Sequence, residues 1–395
     1  MRTLSQYNFR NKQALVRVDF NVPLDSEFRI TDDTRIKAAL PTIRKVISDG
    51  GSTILMSHLG RPKEGPVKKY SLQHLVSRLS ELTGVRVIFA DDCIGPIAFE
   101  KAQNLKPGEI LLLENLRFYK EEEKGEIEFS RKLSQLGNVY VNDAFGTAHR
   151  AHASTTIVAK FFPNDKVCGY LMQAELDNAS KVLQNPSRPL TAIMGGVKIS
   201  DKILVIEKLL DKVDNLLIGG AMAFTFFKAL GGKTGNSLVE NDKLELATQL
   251  VKMADSKKVN LMLPDDSVAS ESINNSTAFE IYDSMNIPEN RMGLDIGPEA
   301  RKKYSNVIKN SKTILWNGPV GVFEMANFSG GTKAIAQAIA DATSLGAYSL
   351  IGGGDSAAAV NSLGYGKNVS YVSTGGGALL EYFEGKELPG VAALN

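Results

Sequence analysis

Short β-rich runs alternate with longer amphipathic stretches along nearly all of the 395 residues. The pattern predicts strands near 14–19, 52–57, 85–90, 109–114 and 138–143, and a second series near 190–195, 215–219, 260–264, 313–317, 348–352 and 369–373. Helix-like stretches fill the intervals; in 199–213, Ile199, Ile203, Ile206, Leu209, Leu210 and Val213 follow the helical period. Alternation of this kind requires parallel strands covered by helices on both faces. The number of strands is too large for one comfortable open sheet. The chain is therefore expected to be α/β, with two doubly wound domains, each a mostly parallel sheet, joined by a hinge helix. The expected divisions are 1–170, a linker helix and hinge at 171–188, and 189–378. Met172 to Leu183 reads as a helix with Leu176, Ala179 and Leu183 on one face, and Asn185-Pro186-Ser187-Arg188-Pro189 breaks it.

In open α/β sheets ligands sit outside the carboxyl ends of the strands, so the residues that follow each apolar run are the candidates for chemistry. In the first half these are Arg17-Val18-Asp19-Phe20-Asn21, His58-Leu59-Gly60-Arg61, Glu114-Asn115-Leu116-Arg117 and Asn142-Asp143. In the second half they are glycines: Gly195-Gly196, Gly219-Gly220, Asn317-Gly318, Gly352-Gly353-Gly354-Asp355 and Gly375-Gly376-Gly377. Arginine and histidine grip compact anions, whereas backbone N–H groups in glycine turns cradle phosphate chains. Two anion sites of different design point to two phosphorylated substrates and a transfer between them.

In the first half, Arg35, Arg61, Arg117 and Arg150 gather near strand ends with Asp19, Asn21 and His58, a set suited to a polydentate anion grip. Each charge-assisted bond contributes on the order of 1.5–3 kcal/mol. In the second half, Lys198 and Lys202 stand four apart at an expected helix start, where the dipole is already positive. That placement is unfavourable unless an anion is bound; a solvated helix face is the alternative. Asp355 suits either a helix N-cap or a Mg²⁺ ligand, and the two roles can coexist.

Other chemistries are disfavoured. Gly232-Lys233-Thr234 resembles the tail of a P-loop, but Phe227 stands where the first glycine is required. Gly352–Ala357 fits a loose dinucleotide pattern, yet the next strand ends in Ser373-Thr374-Gly375 with no acidic residue for a ribose, so a nicotinamide dehydrogenase is a poor second. His58, His149 and His152 lack zinc spacing, and His74 reads as structural. Cys93 and Cys168 are expected to be buried free thiols. The run Lys120–Lys124 reads as a solvated helix start.

The 43% hydrophobic and 23% charged fractions are those of a soluble globular protein, and a net charge of +2 implies no nucleic-acid partner. No run reaches the roughly 18 apolar residues of a membrane span. Residues 1–8 carry no apolar core of a secretory signal, so a cytoplasmic location is expected.

These residues closely resemble the phosphoglycerate kinase family. The blocks VRVDFNVPL (16–24), SHLGRPK (57–63), LENLRF (113–118), VNDAFGTAHRAHAS (141–154), GGVKISDKI (195–203), WNGPVGVFE (316–324), GGGDS (352–356) and STGGGA (373–378) occur in family order, and the match runs from Arg17 to Val391. The resemblance implies reversible, direct in-line phosphoryl transfer from 1,3-bisphosphoglycerate to MgADP, giving 3-phosphoglycerate and ATP in glycolysis, with closure of two domains and a tail, 379–395, packing back on the first. By motif position, Asp19, Phe20, Asn21, Arg35, His58, Leu59, Gly60, Arg61, Arg117 and Arg150 would hold phosphoglycerate. Lys202, Gly219, Gly220, Asn317, Glu324, Gly352, Gly353, Gly354, Asp355 and Ser356 would hold nucleotide, with Asp355 on Mg²⁺. Arg35, Lys198 and the N–H groups of Gly375, Gly376 and Gly377 would stabilise the moving phosphoryl group. Ser356 stands where threonine is frequent and keeps the hydroxyl; Leu379 stands where serine is frequent and loses one. A monomer suffices for such a site. A catalytically silent two-domain protein that closes on a phosphorylated ligand is the rival; it would need the arginines but not Lys198, Asp355 and the glycine turns together.

Overall fold

Ala14, Leu15, Val16 and Arg17 are all buried, although successive residues of a strand point to opposite faces. Both faces of that strand are therefore covered, as parallel sheets require. In the computed structural model, which describes residues 1–63 and 65–395, the chain forms two compact units. One comprises Met1–Asp177 and Glu387–Asn395, the other Asn178–Lys386. The division falls inside the helix Tyr170–Leu183.

The first unit carries β1 (Gln13–Arg17), β2 (Ser52–Met56), β3 (Val87–Phe89), β4 (Ile110–Leu112), β5 (Val139–Asn142) and β6 (Lys166–Cys168). They form one parallel sheet in the order β3-β4-β2-β1-β5-β6. Val16, Val18, Phe20, Ile36, Ile43 and Leu55 lie in its core.

The second unit carries β7 (Leu190–Met194), β8 (Asn215–Ile218), β9 (Lys233–Thr234), β10 (Asn260–Met262), β11 (Asp266–Ser270), β12 (Phe279–Asp283), β13 (Asn286–Ile287), β14 (Met292–Ile296), β15 (Thr313–Asn317), β16 (Tyr348–Gly352) and β17 (Tyr371–Val372). Its main sheet, again parallel, runs β10-β8-β7-β15-β16-β17 around a core containing Trp316, Ile314, Ile335 and Tyr304.

Every strand expected from the sequence has a counterpart. Three features were not anticipated: the short edge strand β6, the antiparallel sheet β12-β11-β14, and the small β13-β9 pair. The expected helix over 199–213 is also shorter, spanning Ile203–Leu209.

Both main sheets have the same switch in strand order. From β1 the chain moves to β2 on one side, while β5 leads to β6 on the other; likewise β7 leads to β8, and β15 to β16. Adjacent loops that depart in opposite directions leave a crevice at the strand ends. In the first unit that point lies at Arg17 and Asn142, which are paired in register; in the second it lies at Met194 and Asn317.

Candidate functional site

In the first unit, loops from three strand ends interlock. The Asp19 carboxylate pairs with Arg35 and accepts the Asn21 N–H at 3.2 Å. Asn21 Oδ1 accepts from Gly60 N at 2.8 Å, and the Gly60 carbonyl accepts from Arg117 Nη1 at 2.9 Å. Asn115 Nδ2 donates to the Leu59 carbonyl at 2.7 Å, and Phe20 N donates to Ser57 Oγ at 2.8 Å. Asp19, Asn21, Arg35, His58, Gly60 and Arg117 thus lie in one neighbourhood. The side chains of Phe20 and Leu59 are buried in the core, so what these two can offer a ligand is backbone. Arg117 also pairs with Glu123 at 3.2 Å. Arg61 and Arg150 are exposed, and among the described residues neither pairs with a carboxylate. Arg150 Nε lies 3.1 Å from His149 Nε2, and its charge reaches Arg117 and His152.

The surroundings of His58 and His152 favour their neutral forms. Burial holds His58 well below the ordinary histidine value, helped by the charges of Arg17, Arg117 and Arg35. His152 is pushed down to about 4 by burial, then by Arg117, Arg17 and Arg150. Its buried Nδ1 has no hydrogen-bond partner among the described residues.

Residues the motif reading did not assign stand behind this cluster. Arg17 is fully buried, and its guanidinium reaches Ser154 and His58. Glu122 is buried beside Ser154, which corrects the reading of 120–124 as a wholly solvated helix start. An arginine inside the apolar run Leu15-Val16-Arg17-Val18 was the available signal.

In the second unit, glycine permits backbone to meet backbone. A Cβ on Gly195 would lie 2.2 Å from the Pro319 carbonyl oxygen, and one on Gly318 (φ +95°) would lie 2.2 Å from the Gly195 oxygen. The N–H groups of these turns are largely engaged: Gly195 donates to Asn317, Gly196 to Pro319, Gly219 to Met194 and Gly220 to Val320. The available donors lie elsewhere. The helix Gly354–Ser362 begins after Gly353 (φ +92°), and its first N–H groups, those of Gly354, Asp355 and Ser356, have no intrahelical acceptor. The glycine at 376 (φ +51°) opens the short helix Gly377–Phe383, while Gly375 N donates to Ser373 Oγ.

Lys202 precedes the helix Ile203–Leu209, and its ammonium contacts Asn317 Oδ1 and, at 3.3 Å, the Asn317 carbonyl. Burial brings its pKa down to about 8, with Asp355 and Asp201 pulling the other way. Asn317 is buried, and its Nδ2 has no partner among the described residues. Lys198 is exposed in the irregular stretch before that helix, so the two lysines do not share a helix face. Asp355 is exposed in the first turn of its helix, and the cap position belongs to Gly353. Ser356 Oγ, buried, accepts from Gly318 N at 2.6 Å. Leu379 is buried against Gly352, and Glu324 is exposed.

No group of three or more potential metal-ligating side chains occurs among the described residues. A lone exposed carboxylate beside free helix N–H groups fits Mg²⁺ carried on nucleotide phosphates, which needs only one or two protein carboxylates.

A family model described as phosphoglycerate kinase matches residues 4–386. The phosphoglycerate kinase of Porphyromonas gingivalis is 55% identical, with 99% of each chain covered. The cytosolic phosphoglycerate kinase of Nicotiana tabacum is 53% identical over all of this chain and 98% of that one. Among solved structures, phosphoglycerate kinase from Coxiella burnetii superposes with a TM-score of 0.88 at 40% identity, covering 99% of this chain and 98% of that one. The Pyrococcus horikoshii enzyme gives 0.83 at 32%, covering 100% and 98%.

Proposed function

The chain belongs to the phosphoglycerate kinase family, and from that premise we propose how its residues divide the reaction. Its activity is that of a phosphotransferase of glycolysis. In the proposed division, Asp19, Asn21, Arg35, His58, Arg61, Arg117 and Arg150, with the backbone of Phe20, Leu59 and Gly60, hold 3-phosphoglycerate. Lys202, Asn317, Glu324 and the turn Gly352–Ser356 hold the nucleotide, and Gly219 and Gly220 shape its pocket. Asp355 binds Mg²⁺, which when present neutralises phosphate charge.

The observation that carries this reading is an excess of positive charge at a strand-order switch: Arg17, Arg35 and Arg117 act on the buried His58, Arg150 acts on Arg117 and His152, and among the described residues neither Arg61 nor Arg150 pairs with a carboxylate. An anionic substrate supplies the missing charge. In the direction of ATP formation, an oxygen of the ADP β-phosphate attacks the acyl phosphate. The acyl oxygen–phosphorus bond breaks, and the carboxylate leaves with its electron pair. That carboxylate is ionised at neutral pH, so no general base is required in either direction. The protein positions two anions and offsets the charge between them. Arg35, Lys198 and the N–H groups of Gly376 and Gly377 serve the transferring group, while the Gly375 N–H, taken by Ser373 Oγ, holds the turn in shape. The helix Tyr170–Leu183 is the proposed bending element for closure, which would exclude water from a hydrolysable acyl phosphate. The chain is proposed to act as a cytoplasmic monomer, since one chain carries both sets of residues.

A coupled assay with 1,3-bisphosphoglycerate and MgADP tests the scheme. Lys198→Ala should lower turnover about 10²–10³-fold with modest change in nucleotide affinity, the usual effect of removing one charge-stabilising donor. Near-normal turnover would remove Lys198 from the mechanism.

A further inference from the structure

Arg17 is 1% exposed, unlike Arg35, Arg61 and Arg150 at the same strand ends. Burying a guanidinium is costly unless its nitrogens are hydrogen-bonded, and each of the three nitrogens has a partner. Nε donates to Ser154 Oγ at 2.8 Å, and that hydroxyl donates in turn to Glu122 Oε1 at 2.6 Å. The Ser154 N–H donates to Glu122 Oε2 at 3.0 Å, so the carboxylate is gripped at both oxygens. Nη1 donates to the Val18 carbonyl. The remaining nitrogen, Nη2, lies 3.2 Å from His58 Nδ1.

That last contact determines the chemistry of the ring. A guanidinium has donors only, so Nδ1 must present its lone pair. A neutral imidazole then carries its proton on Nε2. The charged and titratable groups acting on the ring are Arg17, Arg117, Arg35 and His152; all disfavour an imidazolium, and the nearby Asp19 carboxylate is engaged by Arg35. We propose that Arg17 is a positioning residue for the phosphoglycerate site: anchored through Ser154 to Glu122, it holds His58 in the Nε2–H tautomer, so that a neutral ring donates a hydrogen bond to the anionic substrate. In the opposite tautomer Nε2 would carry a lone pair and could offer an anion no hydrogen bond. The proposal rests on the assignment of His58 to that site given above.

The test begins with the unaltered full chain labelled with [¹⁵N]histidine. Long-range ¹H–¹⁵N spectra between pH 6 and 8 report which ring nitrogen is protonated, and His58→Gln assigns the signal. The expected result is a neutral His58 protonated on Nε2 throughout. A proton on Nδ1, or an imidazolium at pH 7, overturns the proposal whatever the kinetics show. Arg17→Gln should raise the apparent pKa of His58, introduce the Nδ1–H form, and raise KM for 3-phosphoglycerate about 10-fold. KM for ATP and kcat should stay within about 2-fold, since the lost contact orients a binding group. Ser154→Ala, a milder change should Arg17→Gln not fold, should move the same quantities in the same direction. An unchanged His58 tautomer and pKa in these variants overturns the proposal even if KM rises, because Arg17 would then act by another route. If His58→Gln leaves KM for 3-phosphoglycerate unchanged while the wild-type ring is Nε2–H, the substrate-site assignment falls and the donor role with it, but the Arg17–His58 tautomer reading stands.

Discussion

Lys202 shows how burial converts an ordinary lysine into a group that reports ligand binding. Its ammonium faces Asn317 and is partly cut off from water, which lowers its pKa to about 8. A nucleotide phosphate placed beside it would favour the charged form and raise that pKa. By linkage, ADP binding then takes up protons around pH 8, and affinity weakens as pH rises through that value. Calorimetry at pH 8 in two buffers of different ionisation heat should show uptake of about half a proton, close to zero at pH 6.5. Lys202→Met should abolish the buffer dependence; equal heats in the two buffers for the unaltered chain would argue against Lys202 meeting the phosphates. Arg17 and Lys202 differ in legibility. The motif block Gly195–Ile203 pointed to Lys202, whereas Arg17 sat unassigned inside a strand. Lys198 was legible as a residue but not in its setting, because the helix expected from Ile199 begins only at Ile203.

The helix Tyr170–Leu183 begins on a side-chain cap buried in the first unit. Leu171 N and Met172 N donate to Asp143 Oδ1 at 2.8 and 3.3 Å, and Tyr170 N donates to Thr42 Oγ1 at 3.0 Å. Burial pushes the Asp143 carboxyl up to about 7, against the pull of Thr42 and the two helix N–H groups. The folded value lies above the unfolded one, so the folded chain holds the extra proton and its stability falls as pH rises from about 4 to about 7, then levels. His58 and His152, with depressed values, contribute the opposite slope, so the test is a difference. The stability of the wild-type first unit relative to Asp143→Asn, followed by hydrogen exchange, should fall by about 2 kcal/mol between pH 5 and 7 and stay flat above. A difference independent of pH would show that Asp143 remains ionised in the folded chain. Elements with both faces covered were readable because burial imposes long apolar runs. The strand Phe279–Asp283 was not: it alternates apolar and polar residues, yet Phe279 and Ile281 are exposed.

At the scale of the molecule, the chain returns at its end to the unit where it began. Leu388 and Leu394 are buried there; Gly390 N donates to the Ala148 carbonyl at 2.8 Å, and Lys166 Nζ donates to the Ala393 carbonyl at 3.0 Å. Burying each leucine contributes roughly 1.5–3 kcal/mol. Deleting residues 387–395 should therefore destabilise the first unit by about 3–6 kcal/mol, with the second unit's transition unchanged. Calorimetry of the full and shortened chains checks this, and an unaltered first-unit transition would show that the segment contributes no net stability. The family resemblance implied such a return for 379–395; no local pattern in the sequence indicates it, because the segment's partners lie more than 200 residues earlier.

Strand positions, sheet type and the contrast between an arginine-rich and a glycine-rich set of strand ends follow from residue order, since periodicity and backbone freedom act over a few neighbours. The folded chain alone settles which donors are free and which charges are buried. Arg17 meets Ser154 across 137 positions, and Lys202 meets Asn317 across 115. The N–H groups of Gly195 and Gly196 are taken by carbonyls from the neighbouring β15 strand end. Desolvation and hydrogen-bond competition depend on everything packed within a few ångströms, and those neighbours come from distant parts of the sequence.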